Sequence, residues 1–173
     1  MPTGFSSSDN DDLSQAEQDI QARIGDLELD FEAMAAVSNI FRVANAARHH
    51  FERSVLGSFE MSFTAFTTLW VLWVWGEREA RHLAAEAGIS KGTLTGVVST
   101  LEKRGLVMRR THGSDRRLVL ISSTEAGNTM MSTIFPLFNG EEARISSALS
   151  SAEKQAMAQS LRRILRTLEK SPD

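Results

Sequence analysis

The segment from residue 81 to residue 105 restricts the possible fold more than any other part of the chain. Its sequence, RHLAAEAGISKGTLTGVVSTLEKRG, has the spacing of two short helices that meet at Gly88, where glycine permits a tight left-handed turn. Ala84 is small enough for two helices to cross closely. The apolar positions of the second helix recur at helical spacing and are Leu94, Val97, Val98 and Leu101. This spacing predicts a helix-turn-helix motif whose second helix covers residues 90–104.

The outward face of this second helix carries only short or polar side chains. Its members are Ser90, Lys91, Gly92, Thr93, Thr95, Gly96, Ser99 and Thr100. Threonine and glycine lower helix propensity, so a face that only meets water would carry more Glu, Lys and Gln. A narrow face suits a helix that lies against base edges in the major groove of DNA, which is about 12 Å wide. We therefore expect the hydroxyls to bond phosphates or bases and Lys91 to reach a phosphate; a merely solvated face is the alternative.

A hairpin is predicted directly after this helix. The stretch THGSDRRLVLIS, residues 111–122, begins with a turn signal and continues into β-forming residues, so strands are expected at residues 106–111 and 117–121. Arginine at such a tip suits the negative potential of a narrow minor groove. Asp115 would then orient Arg117, with Arg116 beside it. The alternative is an incidental surface ion pair, which would contribute little.

The charge distribution favours a nucleic-acid partner although the net charge is −3. Residues 1–32 contain nine acidic residues and a single base, whereas residues 78–117 contain nine bases and four acids, a net charge of +5. A basic segment inside an acidic chain is a local electrostatic footprint that the overall charge conceals.

Composition excludes several other classes of protein. With 173 residues and 42% apolar residues, the chain can form one domain with helical extensions. The absence of cysteine excludes disulfides and thiolate metal sites and fits a reducing cytosol. The N-terminus is too polar for a signal peptide, and the longest apolar run, residues 69–75, is too short for a membrane span. We therefore expect a cytoplasmic protein with no membrane partner.

The remaining sequence predicts helices on both sides of the hairpin. Composition indicates a disordered tail at residues 1–12, and a short extra helix is possible before residue 31. Further helices are expected at residues 31–55, 63–75, 79–87, 124–149 and 151–170, the last preceded by a capping box that starts at Ser150. The order helices, hairpin, helices predicts a mainly α fold: a winged helix-turn-helix with a two-stranded wing and helical termini.

Taken together, these motifs resemble those of the MarR-type winged-helix transcriptional regulators. The resembling pieces are the helix SFTAFTTLWVLWVWGE, the helix-turn-helix, LEKRGLVMRR, the DRR of the wing, and LISSTEAG. They are spread through residues 31–170, and as a set they are specific although each alone is weak. Two departures stand out, because many members carry an arginine where this chain has Gly96 and another where it has Thr100. Guanine readout by a bidentate arginine is therefore not expected from this helix.

The resemblance implies a DNA-binding regulator, most often a repressor, that acts as a homodimer on a palindromic operator. It places a DNA-binding lobe at about residues 60–123 and dimerisation helices at about residues 31–55 and 124–170. The recognition helix 90–104 would enter the major groove and the wing 112–117 the minor groove of double-stranded DNA. The resemblance further implies release by a small aromatic or phenolic ligand, with His49, Phe66 and Trp70 as its contacts. Residues 1–30 form an acidic extension longer than is usual in the family.

Other functions have less support in the sequence. His49 and His50 are adjacent on a helix and point about 100° apart, so they do not suit one metal ion, and no metal site or cofactor is expected. No catalytic motif is present, which argues against an enzyme. The alternative function is a helical, dimeric interaction protein that binds no DNA. A steep loss of DNA affinity with rising salt would distinguish the two.

Overall fold

The computed structural model describes residues 8–24, 27–111 and 118–170, which belong to two compact units divided between Ala47 and Arg48. The helices are α1 (Ser8–Ile24), α2 (Phe31–Ser54), α3 (Phe63–Trp75), α4 (Ala80–Glu86), α5 (Lys91–Lys103), α6 (Glu125–Ile145) and α7 (Ser151–Lys170). The strands are β1 (Arg78–Glu79), β2 (Val107–Thr111) and β3 (Val119–Ser123). The mainly α fold predicted from the sequence is confirmed.

The first unit contains α1 and most of α2. The predicted disordered tail is wrong for residues 8–12, because α1 begins at Ser8. The side chain of Asp30 caps α2 by accepting a hydrogen bond from the Ala33 amide at 2.8 Å, and the Asn39 amide donates to the Glu17 carboxylate on α1 at 3.0 Å.

The second unit contains the helix-turn-helix. Gly88 has a φ of 66°, the left-handed conformation that the turn between α4 and α5 requires. The Ser90 hydroxyl caps α5 by accepting from the Thr93 amide at 3.1 Å. The turn at Gly88 follows the sequence prediction, and Leu83 and Ala84 on α4 are buried as the helix crossing requires.

The sheet has three antiparallel strands in the order β1-β3-β2, rather than the two predicted. The central strand β3 pairs Ile121 with Arg109 of β2 on one side and with Arg78 of β1 on the other. The third strand was missed because β1 is two residues long, too short for an alternating pattern. β3 also begins and ends two residues later than predicted, since its pairing with β2 extends to Ser123 opposite Val107.

The two last helices follow the predicted order with one shifted boundary. α6 ends at Ile145 rather than near Leu149, and a turn leads to α7. The capping box is confirmed, because the Ser150 amide donates to the Glu153 carboxylate at 2.8 Å and the Glu153 amide donates to the Ser150 hydroxyl at 3.3 Å.

Aromatic stacking joins helices within the second unit. Phe138 of α6 stacks on Phe51 of α2 and on Phe66 of α3, with ring centroids 4.0 and 4.3 Å apart. The helix that carries Phe66, α3, also packs against α5, whose Leu94, Val98 and Leu101 are buried. The recognition helix therefore has a packed support rather than a free surface behind it.

Candidate nucleic-acid interface

The inner face of α5 is buried as its spacing predicts. Leu94, Val98 and Leu101 are at most 3% exposed, and Val97 is half-buried. Burial of these residues fixes the rotation of the helix about its axis. The opposite face is consequently held towards solvent in one orientation.

The predicted contact residues lie on that opposite face. Lys91, Thr93, Thr95 and Gly96 are exposed, as is the Ser90 cap, and Ser99 is half-buried. A β-carbon added at Gly96 would meet no atom within 4 Å. The face is therefore narrow and open, which is the shape that a groove-binding helix needs.

Several hydroxyls of this face have partners within the helix itself. Thr95 donates to the Lys91 carbonyl oxygen at 3.0 Å, and Thr100 donates to the Gly96 carbonyl oxygen at 3.1 Å. The Thr93 hydroxyl lies 2.8 Å from that of Ser90. Within the residues that the structure describes, Ser99 is the member of the face whose hydroxyl has no protein partner.

Most arginines of the basic segment are already paired with acidic side chains. The ion pairs are Arg78–Glu86 at 3.1 Å, Arg81–Glu79 at 2.8 Å, Arg109–Glu102 at 3.2 Å and Arg110–Glu77 at 2.6 Å. Glu77 lies one residue before the segment, so its negative charge is not part of the net charge of +5 for residues 78–117. The Arg110 guanidinium donates to both oxygens of Glu77, and these hydrogen bonds to the carboxylate raise the pKa of Arg110.

Arg104 has a structural partner rather than a carboxylate. Its guanidinium donates at 2.8 Å to the carbonyl oxygens of Phe59 and Glu60, which end a short 3-10 helix. In the described part of residues 78–117, the cations that remain without such partners are Lys91 at the start of α5 and Lys103 at its end. These two lysines are the cations best placed to meet phosphates.

The wing is described only at its base. β2 and β3 pair as far as Thr111 and Val119. The predicted site residues Asp115, Arg116 and Arg117 lie outside the described residues, and their roles remain predictions.

A cleft of about 270 Å³ lies between the start of α5 and the base of the wing. It is lined by Glu79, Ala80, Arg81, Lys91, Leu94, Thr95, Leu118 and Val119. Two predicted contact residues, Lys91 and Thr95, therefore adjoin the first residues after the wing tip. The recognition helix and the described base of the wing therefore line the same cleft.

The three residues predicted to contact a small ligand occupy different surroundings. His49 is exposed, Phe66 is 3% exposed and stacked on Phe138, and Trp70 is half-buried with its ring 4.9 Å from that of Trp75 in an edge-on arrangement. None of them lines the cleft beside α5 or a 490 Å³ groove between α1 and α2. Their assignment as a ligand site remains a prediction.

A cluster that the sequence did not reveal lies between α2 and α6. The Arg144 guanidinium donates to the Glu141 carboxylate at 2.7 Å, and the His50 ring contacts both side chains. Hydrogen bonds from Arg144 and then His50 lower the pKa of Glu141 from 4.5 to about 2. His50 is 91 residues from Glu141 and 94 residues from Arg144 in sequence, so no local pattern could have signalled the contact.

Comparison with known proteins agrees with this geometry. Residues 61–119, which include α3, α4 and α5, match the model of the MarR family. The chain is 34% identical to the HTH-type transcriptional regulator YwaE of Bacillus subtilis, over 79% of this chain and 80% of YwaE. The chain belongs to the MarR family. It is therefore a DNA-binding transcriptional regulator.

Solved structures support the same fold for this MarR-type regulator. AbsC, a MarR family regulator from Streptomyces coelicolor, superposes with a TM-score of 0.74 at 22% identity and covers 84% of this chain and 99% of its own. NadR, solved in complex with 4-hydroxyphenylacetate, has a TM-score of 0.64 at 25% identity. The match covers 78% of this chain and 92% of the NadR chain. Among the described residues of this regulator, no helix is long and apolar enough to cross a membrane, and no group of three metal-ligating side chains is present.

Proposed function

We propose that the protein binds a palindromic operator as a homodimer, with α5 of each subunit in the major groove and the wing of each subunit in the adjacent minor groove. The observation that carries this proposal is the orientation of α5. Its apolar face, formed by Leu94, Val98 and Leu101, is buried, and its narrow face is exposed. On this basis Ser90, Lys91, Thr93, Thr95, Gly96 and Ser99 contact DNA from the helix, and Asp115, Arg116 and Arg117 act from the wing.

Two copies are needed because one helix and one wing bury too little surface for tight, specific binding. The candidate dimer surface lies on the terminal helices. No residue of α7 is buried, although it carries a stripe of large apolar side chains: Met157, Leu161, Ile164, Leu165 and Leu168. A stripe of this size is unusual on a monomer and favours a second subunit as its cover. Leu137 and Ile145 of α6 and Val37 and Phe41 of α2 are exposed as well.

The proposed regulator is a cytoplasmic repressor without enzymatic activity. A dimer seated on an operator excludes other proteins from that DNA, which is the simplest way for it to act. We propose a small aromatic or phenolic compound as the releasing ligand, with His49, Phe66 and Trp70 as its contacts. The support for this class is family membership together with NadR, which was solved with 4-hydroxyphenylacetate.

The test begins with selection of duplexes from a random library by the purified protein. We expect a palindrome with half-sites about 34 Å apart, one helical turn of DNA. Its affinity, measured by fluorescence anisotropy, should fall steeply and linearly on a logarithmic salt scale, because phosphate contacts release counterions. No enriched sequence and no salt dependence would instead favour the helical interaction protein that binds no DNA.

A further inference from the structure

We infer that the recognition helix reads thymine methyl groups through the methyl groups of Thr93, Thr95 and Thr100, rather than reading bases with its hydroxyls. This inference rests on the proposed function, because it assigns the chemistry by which that same surface selects a sequence. All three threonines are exposed on α5.

The hydroxyl protons of Thr95 and Thr100 are already donated within the helix. The hydroxyls of Thr95 and Thr100 are directed back along the helix to main-chain oxygens four residues earlier, at 3.0 and 3.1 Å. The Thr93 hydroxyl is 2.8 Å from the Ser90 cap. A hydroxyl has one proton to donate, so Thr95 and Thr100 must each give up a local hydrogen bond before they can donate to a base.

The methyl branches of these threonines are the groups left for contact with DNA. When the oxygen of a helical threonine is turned towards its own backbone, the other branch of the side chain, Cγ2, is left to face outwards. Gly92 precedes Thr93, and Gly96 lies between Thr95 and Thr100 in sequence. A β-carbon at Gly96 would meet nothing within 4 Å. The methyl groups therefore border an open surface that a base edge can approach.

Side chains that recognise bases with paired hydrogen bonds are scarce on this helix. The residues that recognise bases with paired hydrogen bonds are Arg, Lys, Asn and Gln. On α5 these are Lys91 and Lys103, one at each end of the helix. Thymine is the base that presents a methyl group in the major groove, and apolar contact with it is an established means of recognition. The central turns of this helix are chemically suited to that contact.

The experiment uses the duplex that the wild-type protein selects from a random library. Each thymine is replaced singly by deoxyuridine, which lacks only the C5 methyl group, and Kd is measured by fluorescence anisotropy. We expect about a fourfold weaker Kd for each contacted methyl that is removed. Insensitivity of Kd at every thymine of a well-defined selected sequence would overturn the inference while leaving the proposed function standing. Failure to select any sequence would overturn both.

Matched variants identify the reading atom. Thr95→Ser keeps the hydroxyl and removes the methyl, so it should bind about fourfold more weakly and no longer distinguish thymine from uracil at its contact. Thr95→Val keeps an outward methyl and removes the hydroxyl, so both affinity and discrimination should be retained. Substitution of Thr93 and of Thr100 by serine and by valine tests the other two contacts in the same way. Circular dichroism checks that the helix content of each variant is unchanged. The reverse pattern, with serine active and valine inactive at these positions, would show that the hydroxyls read the bases and would overturn the inference.

Discussion

A β-carbon at Gly127 would overlap the main-chain oxygen of Leu106 and lie 3.1 Å from its carbonyl carbon. Gly127 is in the first turn of α6, and Leu106 precedes β2. The same Leu106 oxygen accepts a hydrogen bond from the Thr124 amide at 3.0 Å. The absence of a side chain at Gly127 thus allows α6 to begin directly against the base of the wing.

We expect Gly127→Ala to lower the free energy of unfolding by about 1–3 kcal/mol, because the contacted atom belongs to the backbone and cannot rotate away. Urea denaturation measures the change. Gly140→Ala on the same helix is the matched control, since a β-carbon there meets nothing within 4 Å. The control should be neutral or stabilising by up to about 1 kcal/mol, the usual advantage of alanine in a helix. Equal stability of both variants would contradict the close approach.

Much of this fold could be predicted because several helix boundaries are marked by local chemistry. α3 occupies residues 63–75 as expected, since the Ser62 hydroxyl accepts from the Ala65 amide and Gly76, with a φ of 76°, ends the helix. The orientation of α5 was predictable for the same reason, because helical periodicity alone separates Leu94 and Val98 from Gly96.

The electrostatics of the site were less predictable, because they depend on pairing between distant residues. Arg110 on β2 meets Glu77, which precedes β1, only when β1 and β2 both pair with β3, and the two residues are 33 apart in sequence. Counting charges along residues 78–117 therefore overestimated the positive charge available to DNA. The local bonds of Thr95 and Thr100 depend on side-chain rotamers, which a residue pattern does not specify.

Arg104 should matter for stability rather than for DNA affinity. Arg104→Met removes two hydrogen bonds to the carbonyls of Phe59 and Glu60 and should cost about 1–3 kcal/mol of unfolding free energy. Lys103→Met, its neighbour, should change stability by less than about 0.5 kcal/mol. It should instead reduce the salt slope of DNA binding by about one, if Lys103 meets a phosphate. Unfolding free energy and the salt slope of DNA binding together separate the structural role of Arg104 from the phosphate contact of Lys103. A stability loss in Lys103→Met and a reduced salt slope in Arg104→Met would refute the assignment.

Arg117 should contribute to operator binding from the wing. We expect Arg117→Ala to weaken binding by about 1–3 kcal/mol, measured by anisotropy, without loss of folding. Asp115→Ala should weaken it less, because it frees the arginine without removing it. Arg110→Ala is the control on the same hairpin, since its guanidinium is paired with Glu77. An unchanged affinity in Arg117→Ala would exclude the wing assignment.

Acid should weaken the contact between α2 and α6. The pKa of Glu141 is about 2 in the folded protein, against 4.5 for an ordinary glutamate. Because the folded-state pKa is depressed, the stabilising contribution is complete above about pH 4.5 and is lost as the pH falls towards 2. Glu141→Gln should remove this part of the pH dependence in urea denaturation between pH 7 and 2.5. Glu142→Gln, its neighbour, should retain it, and identical acid profiles for wild type and Glu141→Gln would contradict the prediction.

The terminal helix tests the proposed assembly. Leu165 and Leu168 of α7 are 57% and 67% exposed, on the face shared with Leu161. If a second subunit covers this face, placing two lysines there would bury unpaired charges in the interface. The double variant Leu165→Lys, Leu168→Lys of the full chain should therefore be monomeric by light scattering.

The same variant should lose tight operator binding although every proposed DNA contact is intact, because a single half-site contact is too small for specific affinity. Gln159→Lys adds one lysine at a position of α7 about half a turn away from the apolar stripe, so it should leave both the dimer and the affinity unchanged. Circular dichroism confirms that each variant keeps its helices. A double variant that remains dimeric with wild-type affinity would remove α7 from the interface, and subunit association would then have to depend on other exposed apolar residues, such as Val37 and Phe41 of α2.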